Sequence, residues 1–313
     1  MTLTNIRFPE DNPFARIKVR HICGWYLLFC IAIILQIQII SSIRGIKFDN
    51  TEPFVMEILV TYLLIMSLSL FWRECRLAGI EIKYLIGKVP DRYQWLPLVR
   101  LAIASVVFSI GVFRIFYYPL SFIVPSFVEQ ILTEKRNSSI LIAALKSFSP
   151  ALYYLQVALD NYVITPVFVA FFVISIPLHR CAAKWGNITA IIAMCLLFGT
   201  VAYKTFITMI IVLLISTILY VKTRSLVVLI IFIALTDISS TIWDLLGTVL
   251  GGNQTGSTLD IFRSEVQLGV LFFVVSAPWV IGFIYKNWSV LKGPLPYFAN
   301  AAEAEKIKAD SEI

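Results

Sequence analysis

Among the charged side chains that fall inside long apolar runs are Arg114, Asp160, Asp237 and Asp244. Charge at membrane depth is costly, is usually paired, and often marks a site. On the topology derived below, Arg114 and Asp160 both fall in the outer half of their runs, so they can pair. Asp237 and Asp244 stand two helical turns apart, on one face of a helix. These residues read either as a polar cavity or proton path, or as ion pairs that lock a bundle. The two histidines are His21 and His179. His179, beside Arg180 at the end of an apolar run, reads as a basic interface residue or as a pH-sensitive group. The cysteines (Cys23, Cys30, Cys75, Cys181 and Cys195) show no CxxC spacing. They read as free thiols, not as a disulfide frame or a zinc knuckle. Gly251-Gly252 is a loop signal, and the Asn-X-Ser/Thr matches at 137–139 and 253–255 carry little weight.

The elements that hold these residues follow from composition. The chain has 313 residues, 59% hydrophobic and 14% charged, with a mean hydropathy of +0.85. Soluble domains carry about a quarter charged residues. Continuous runs of about 20 apolar residues recur, each long enough to cross a bilayer as a helix. A transmembrane barrel would alternate instead. The expected fold is therefore all-α, a polytopic helix bundle. Eight spans are expected, at about 25–43, 54–72, 98–118, 157–178, 188–203, 206–221, 226–246 and 268–285.

Between them, residues 1–22 read as a polar cytoplasmic arm, 23–290 as the bundle and 291–313 as a polar, mobile tail. The basic stretch 73–97 reads as an interfacial segment. Pro119 and Pro125 end the third span, with a surface segment after them. Residues 140–150 read as a short interfacial helix, and 251–265 as an exposed loop.

Eight crossings put both termini on one side. The basic residues agree. Seventeen of the 26 Lys and Arg fall in the segments around 7–20, 73–92, 180–184, 222–224 and 286–308, and seven in the alternate segments. Basic residues collect on the cytoplasmic side, which also explains the net charge of +7. No basic stripe with interleaved aromatics suggests a nucleic-acid partner. The expected surroundings are a lipid bilayer.

The stretch 165–237 opens TPVFVAFFVISIPLHRCAAKWGN, continues through LLFGTV and YVKTRSLVVLI, and closes IALTD. It resembles the CPBP family, the CAAX-protease and bacteriocin-processing (Abi) group of intramembrane metalloproteases. The likeness is centred on a core at 157–246. The upstream LAGIEIKYLIGKVPDRYQWLP is similar to cytoplasmic segments of cyanobacterial and plastid members, which implies a plasma or thylakoid membrane.

In active relatives the first block carries a Glu-Glu pair and a following Arg. Here those positions are Val169, Ala170 and Ile174. Phe198-Gly199 is present, but the position of the His that usually follows is Ala202. In the third block the His position is Ile233 and the Asn position is Asp237. Such a protease needs imidazole and oxygen ligands for a divalent metal, and a carboxylate to take a proton from water. Of these positions only Asp237 offers a lone pair. The resemblance thus implies scaffold without catalysis: no catalytic residue, no metal and no cofactor. The implied role is a pseudoprotease that binds or helps assemble a membrane-protein partner or transmembrane segment. Two alternatives stand beside it. One is an active zinc protease with an unusual site that uses Asp160 and Asp237. The other is a transporter or lipid-binding protein that uses the intramembrane charges.

Overall fold

The computed structural model describes residues 12–45, 53–137, 149–202, 205–250 and 258–311. They are helical, as hydrocarbon demands, because a helix satisfies its backbone groups within itself. A short 3-10 turn (Pro13–Arg16) precedes α1 (Val19–Arg44) and α2 (Pro53–Leu77). There follow α3 (Ile82–Ile86), α4 (Trp95–Ile123), α5 (Pro125–Asn137) and a continuous α6 (Pro150–Trp185). The second half holds α7 (Asn187–Val201), α8 (Phe206–Thr223), α9 (Leu226–Leu250), α10 (Thr258–Ser264), α11 (Val266–Asn287) and α12 (Pro296–Ser311). A 3-10 stretch, Trp288–Lys292, joins α11 to the segment before α12.

Seven of these helices are long and apolar enough to cross a membrane, and the chain is a multi-pass helical membrane protein. The expected fifth span is the exception. α7 has 15 residues, roughly 22 Å at 1.5 Å per residue, against about 30 Å of hydrocarbon. It still links opposite ends of the bundle. Asn187 at its start donates to the carbonyls of Leu291 (3.1 Å) and Gly293 (2.8 Å). Thr200 near its finish shares a shallow cleft with Phe116, Leu120 and Phe127 from the far ends of α4 and α5.

The segments richest in Lys and Arg meet at one end. Arg180 donates to the carbonyls of Phe14 (2.6 Å) and Ala15 (2.9 Å). Asn300 donates to those of Tyr84 (2.9 Å) and Arg224 (3.0 Å). Gly87 makes this junction possible. Its φ is +65°, and a Cβ there would stand 2.0 Å from the Arg224 carbonyl oxygen. The arm and the tail are thus folded onto the same end where they are described. Phe14, Ile17, Leu291, Leu295 and Tyr297 are all buried. The polar tail expected at 291–313 holds a helix whose first turn is docked and whose second half is exposed.

The far end has a small core of its own. Tyr117, Val128, Ile131, Leu259 and Phe262 pack together from α4, α5 and α10. Two expectations change here. α4 runs on through Pro119 to Ile123, and the loop expected at 251–265 holds a helix with two buried side chains. Arg263 clasps α4 by donating to the Ser121 hydroxyl (3.1 Å) and carbonyl. The interfacial helix expected at 140–150 and the loop residues 251–257 lie outside the described residues.

Candidate functional site

The positions where the resemblance places the family's chemistry sit on a helix with unusual winding. α6 contains two π-wound stretches, 160–164 and 169–175. Each ends two residues before a proline, Pro166 or Pro177. Proline lacks an N–H and its ring presses on the carbonyl four residues back. Widening the preceding turns gives that carbonyl room without breaking the helix.

Val169, Ala170 and Ile174 lie in the second π stretch. Ala170 and Ile174 are fully buried, and Ile233 on α9 is 5% exposed. All four belong to one continuous apolar core. Ala202 is apart from them, at the C-terminal cap of α7. Asp237 stands one turn beyond Ile233 and is half-buried. Among the described residues, no three His, Cys, Asp or Glu side chains come together. The residues present do not fit a zinc ion, since one carboxylate cannot make a four-ligand site.

The intramembrane charges pair differently from the sequence reading. Arg114 pairs with Glu265 at the start of α11, not with Asp160. Its guanidinium is 2.7 Å from the Glu265 carboxylate and 3.1 Å from the same residue's carbonyl oxygen. Asp160 is 3% exposed and faces α2. Glu57 and Thr61 on α2, and Gln156 and Asp160 on α6, form two i,i+4 pairs that oppose each other. Gln156 Nε2 donates to Thr61 Oγ1 (2.7 Å), which donates to the Glu57 carbonyl oxygen (2.9 Å). Thr61 lies within hydrogen-bonding reach of Asp160, and Glu57 within its electrostatic reach. Asp237 and Asp244 share a helix but not an environment, because Asp244 is exposed.

Sequence reasoning passed over Glu57, Thr61 and Gln156. The signal was a polar residue every fourth position on two separate apolar runs. It was hidden because the fourth span was expected to begin at 157, which left Gln156 outside it.

His179 is neither an interface residue nor exposed. Its side chain is completely buried and links four segments. The Tyr297 backbone N–H donates to Nε2 at 3.2 Å, so Nδ1 carries the proton and donates to the Ser175 carbonyl at 2.6 Å. Phe14 stacks on the imidazole at 4.7 Å. One turn away Tyr220 donates to the Leu85 carbonyl (3.1 Å) and accepts from the Ser175 hydroxyl (3.0 Å). The Tyr297 phenol accepts from the Glu81 N–H at 3.4 Å. Burial pushes that phenol above its ordinary range, so it stays neutral. His21 is exposed at the start of α1. Cys30, Cys75, Cys181 and Cys195 are free thiols.

No protein-family profile, no curated protein and no solved structure matches the chain.

Proposed function

We propose that this chain is a non-catalytic, CPBP-like membrane protein that holds a membrane-protein partner or a transmembrane segment. Stabilising, escorting or assembling that partner is the concrete role, in a plasma or thylakoid membrane of cyanobacterial type. One observation carries the reading. The positions where the resemblance puts carboxylates, guanidinium and imidazole hold Val169, Ala170, Ile174 and Ile233, packed into the core. Filling a reaction cavity with apolar side chains removes the ligands and the water together, while the helices around it stay assembled. α1 adds a broad apolar surface. It packs chiefly on α2, and Leu27, Leu28, Ile31, Leu35 and Ile39 stay exposed along it.

The test is metal content and composition of the protein purified in mild detergent. The expected result is no stoichiometric zinc, with one membrane protein retained at a fixed ratio in both wild type and Asp237→Ala. Near-stoichiometric zinc, with cleavage of that protein lost in Asp237→Ala, would restore the protease reading. Absence of both metal and partner would overturn the partner role. A transport reading draws on Asp160, and substrate-dependent uptake lost in Asp160→Asn would establish it instead.

A further inference from the structure

The carboxyl of Asp160 is the least expected group in the bundle. It is 3% exposed, and its Oδ1 is buried without a hydrogen-bond partner among the described residues. Intramembrane charge is ordinarily paired, and among the described residues no cation pairs with Asp160. Three helical stretches define the surroundings: α2, α6 itself and α9. From Pro53 to Trp72 the one charged residue is Glu57; from Pro150 to Leu178 it is Asp160; along α9 they are Asp237 and Asp244. Arg73, Arg76, Arg180 and Lys184 all lie at the other end of α2 and α6, and Arg114 is held by Glu265. Among the described residues from Pro53 to Trp72, from Pro150 to Leu178 and along α9, every charged group is therefore another carboxyl, and the remaining titratable side chains are tyrosines, Tyr62, Tyr153, Tyr154 and Tyr162.

The hydrogen bonds say where the proton is. A threonine hydroxyl has one proton and two lone pairs. Thr61 commits its proton to the Glu57 carbonyl and one lone pair to Gln156. What remains toward Asp160 is a lone pair. A carboxylate would meet it with repulsion, whereas a carboxylic acid donates to it and completes the network. The acid's other oxygen is then a neutral carbonyl, which tolerates the lack of a partner at Oδ1 far better than a charge would.

We propose that Asp160, with Glu57, Thr61 and Gln156, forms a reversible proton-binding site between α2 and α6. The ligand is a proton, held on Asp160 and oriented by Thr61. Glu57 is the entry group. It is half-buried and lies one turn inside the Pro53 end of α2, which is the end away from the basic segments. Uptake converts the Asp160 carboxylate to the acid, and release returns the proton to water past Glu57.

Dicyclohexylcarbodiimide reads this state directly, because it adds to protonated carboxyls in apolar surroundings. The full-length protein, in mild detergent or in vesicles, is treated across a pH series and the modified peptides are measured by mass spectrometry. Wild type is expected to carry the label on Asp160, with labelling that falls about tenfold per pH unit once the site empties. Asp160→Asn loses the label. Glu57→Gln displaces the pH profile, while Asp244→Asn leaves it in place. Absence of label on Asp160 at every pH, or labelling that does not change with pH, overturns the proposal. Should Asp160→Asn fail to fold, the wild-type profile and Glu57→Gln decide it.

Discussion

At the basic end a single imidazole does the work of a helix cap. The first N–H groups of any helix lack partners inside it, and Tyr297 supplies one such N–H at the start of α12. His179 Nε2 accepts it. Replacing His179 by Phe keeps a ring to stack on Phe14 but strands that N–H in a buried site, which costs about 1–3 kcal/mol. The expected outcome is selective loosening of α12. Limited proteolysis should cut within 296–311 in His179→Phe well before it cuts the wild type, with the spans still protected. Tyr220→Phe removes the donor to the Leu85 carbonyl and should cost a similar ~1–3 kcal/mol, seen as a lower melting temperature in detergent. Unchanged proteolysis in His179→Phe would mean that α12 is held by its apolar first turn alone.

α4 and α11 pack closely, and small residues set their distance. A Cβ on Gly111 would stand 2.6 Å from the Phe273 backbone nitrogen, and one on Gly269 would stand 2.5 Å from the Arg114 Cβ. Close backbone approach of this kind favours helix association in lipid. It also brings Arg114 to Glu265. The pair is partly shielded, with 17% and 34% of the two side chains exposed, so solvent screening reduces what it contributes. Removing one partner, in Glu265→Gln, should cost about 1–2 kcal/mol by leaving Arg114 without its charge partner. The double variant Arg114→Met with Glu265→Gln should recover part of that loss. A double-mutant cycle on melting temperature checks it, and strict additivity would show that the two charges do not couple. Gly269→Val should be worse than either, because it separates the helices.

Across the whole molecule, the short α7 decides the topology. If it crosses, the described ends of the chain share a side, as their contacts with Arg180 and Arg224 require. A helix of roughly 22 Å crosses with the bilayer thinned around it or with its ends buried in protein. Single cysteines introduced at Lys18 and at Ala302, in a background lacking the native cysteines, should react with a membrane-impermeant maleimide from one side. A cysteine at Asp260 should react from the other. Labelling of Lys18→Cys and Ala302→Cys from opposite sides would mean that α7 turns back within the membrane.

Membrane class, seven of the eight expected spans and the end at which the basic segments gather were legible in the sequence. They depend on sums over many residues, namely the length of apolar runs and the bias of Lys and Arg, and such sums survive errors at single positions. The partners of individual polar groups were not legible. Arg114 meets Glu265, which is 151 positions away in the chain, rather than Asp160, because the glycine-lined approach of α4 to α11 brings those two together. His179 becomes a buried cap only because α12 folds back beneath α6, and Gln156 reaches Thr61 only because α6 starts at Pro150, seven residues before its apolar run suggested. Apolar length and basic bias are local properties that a sequence carries openly. Which side chain faces which depends on the rotation and spacing of packed helices, and only the tertiary structure sets those.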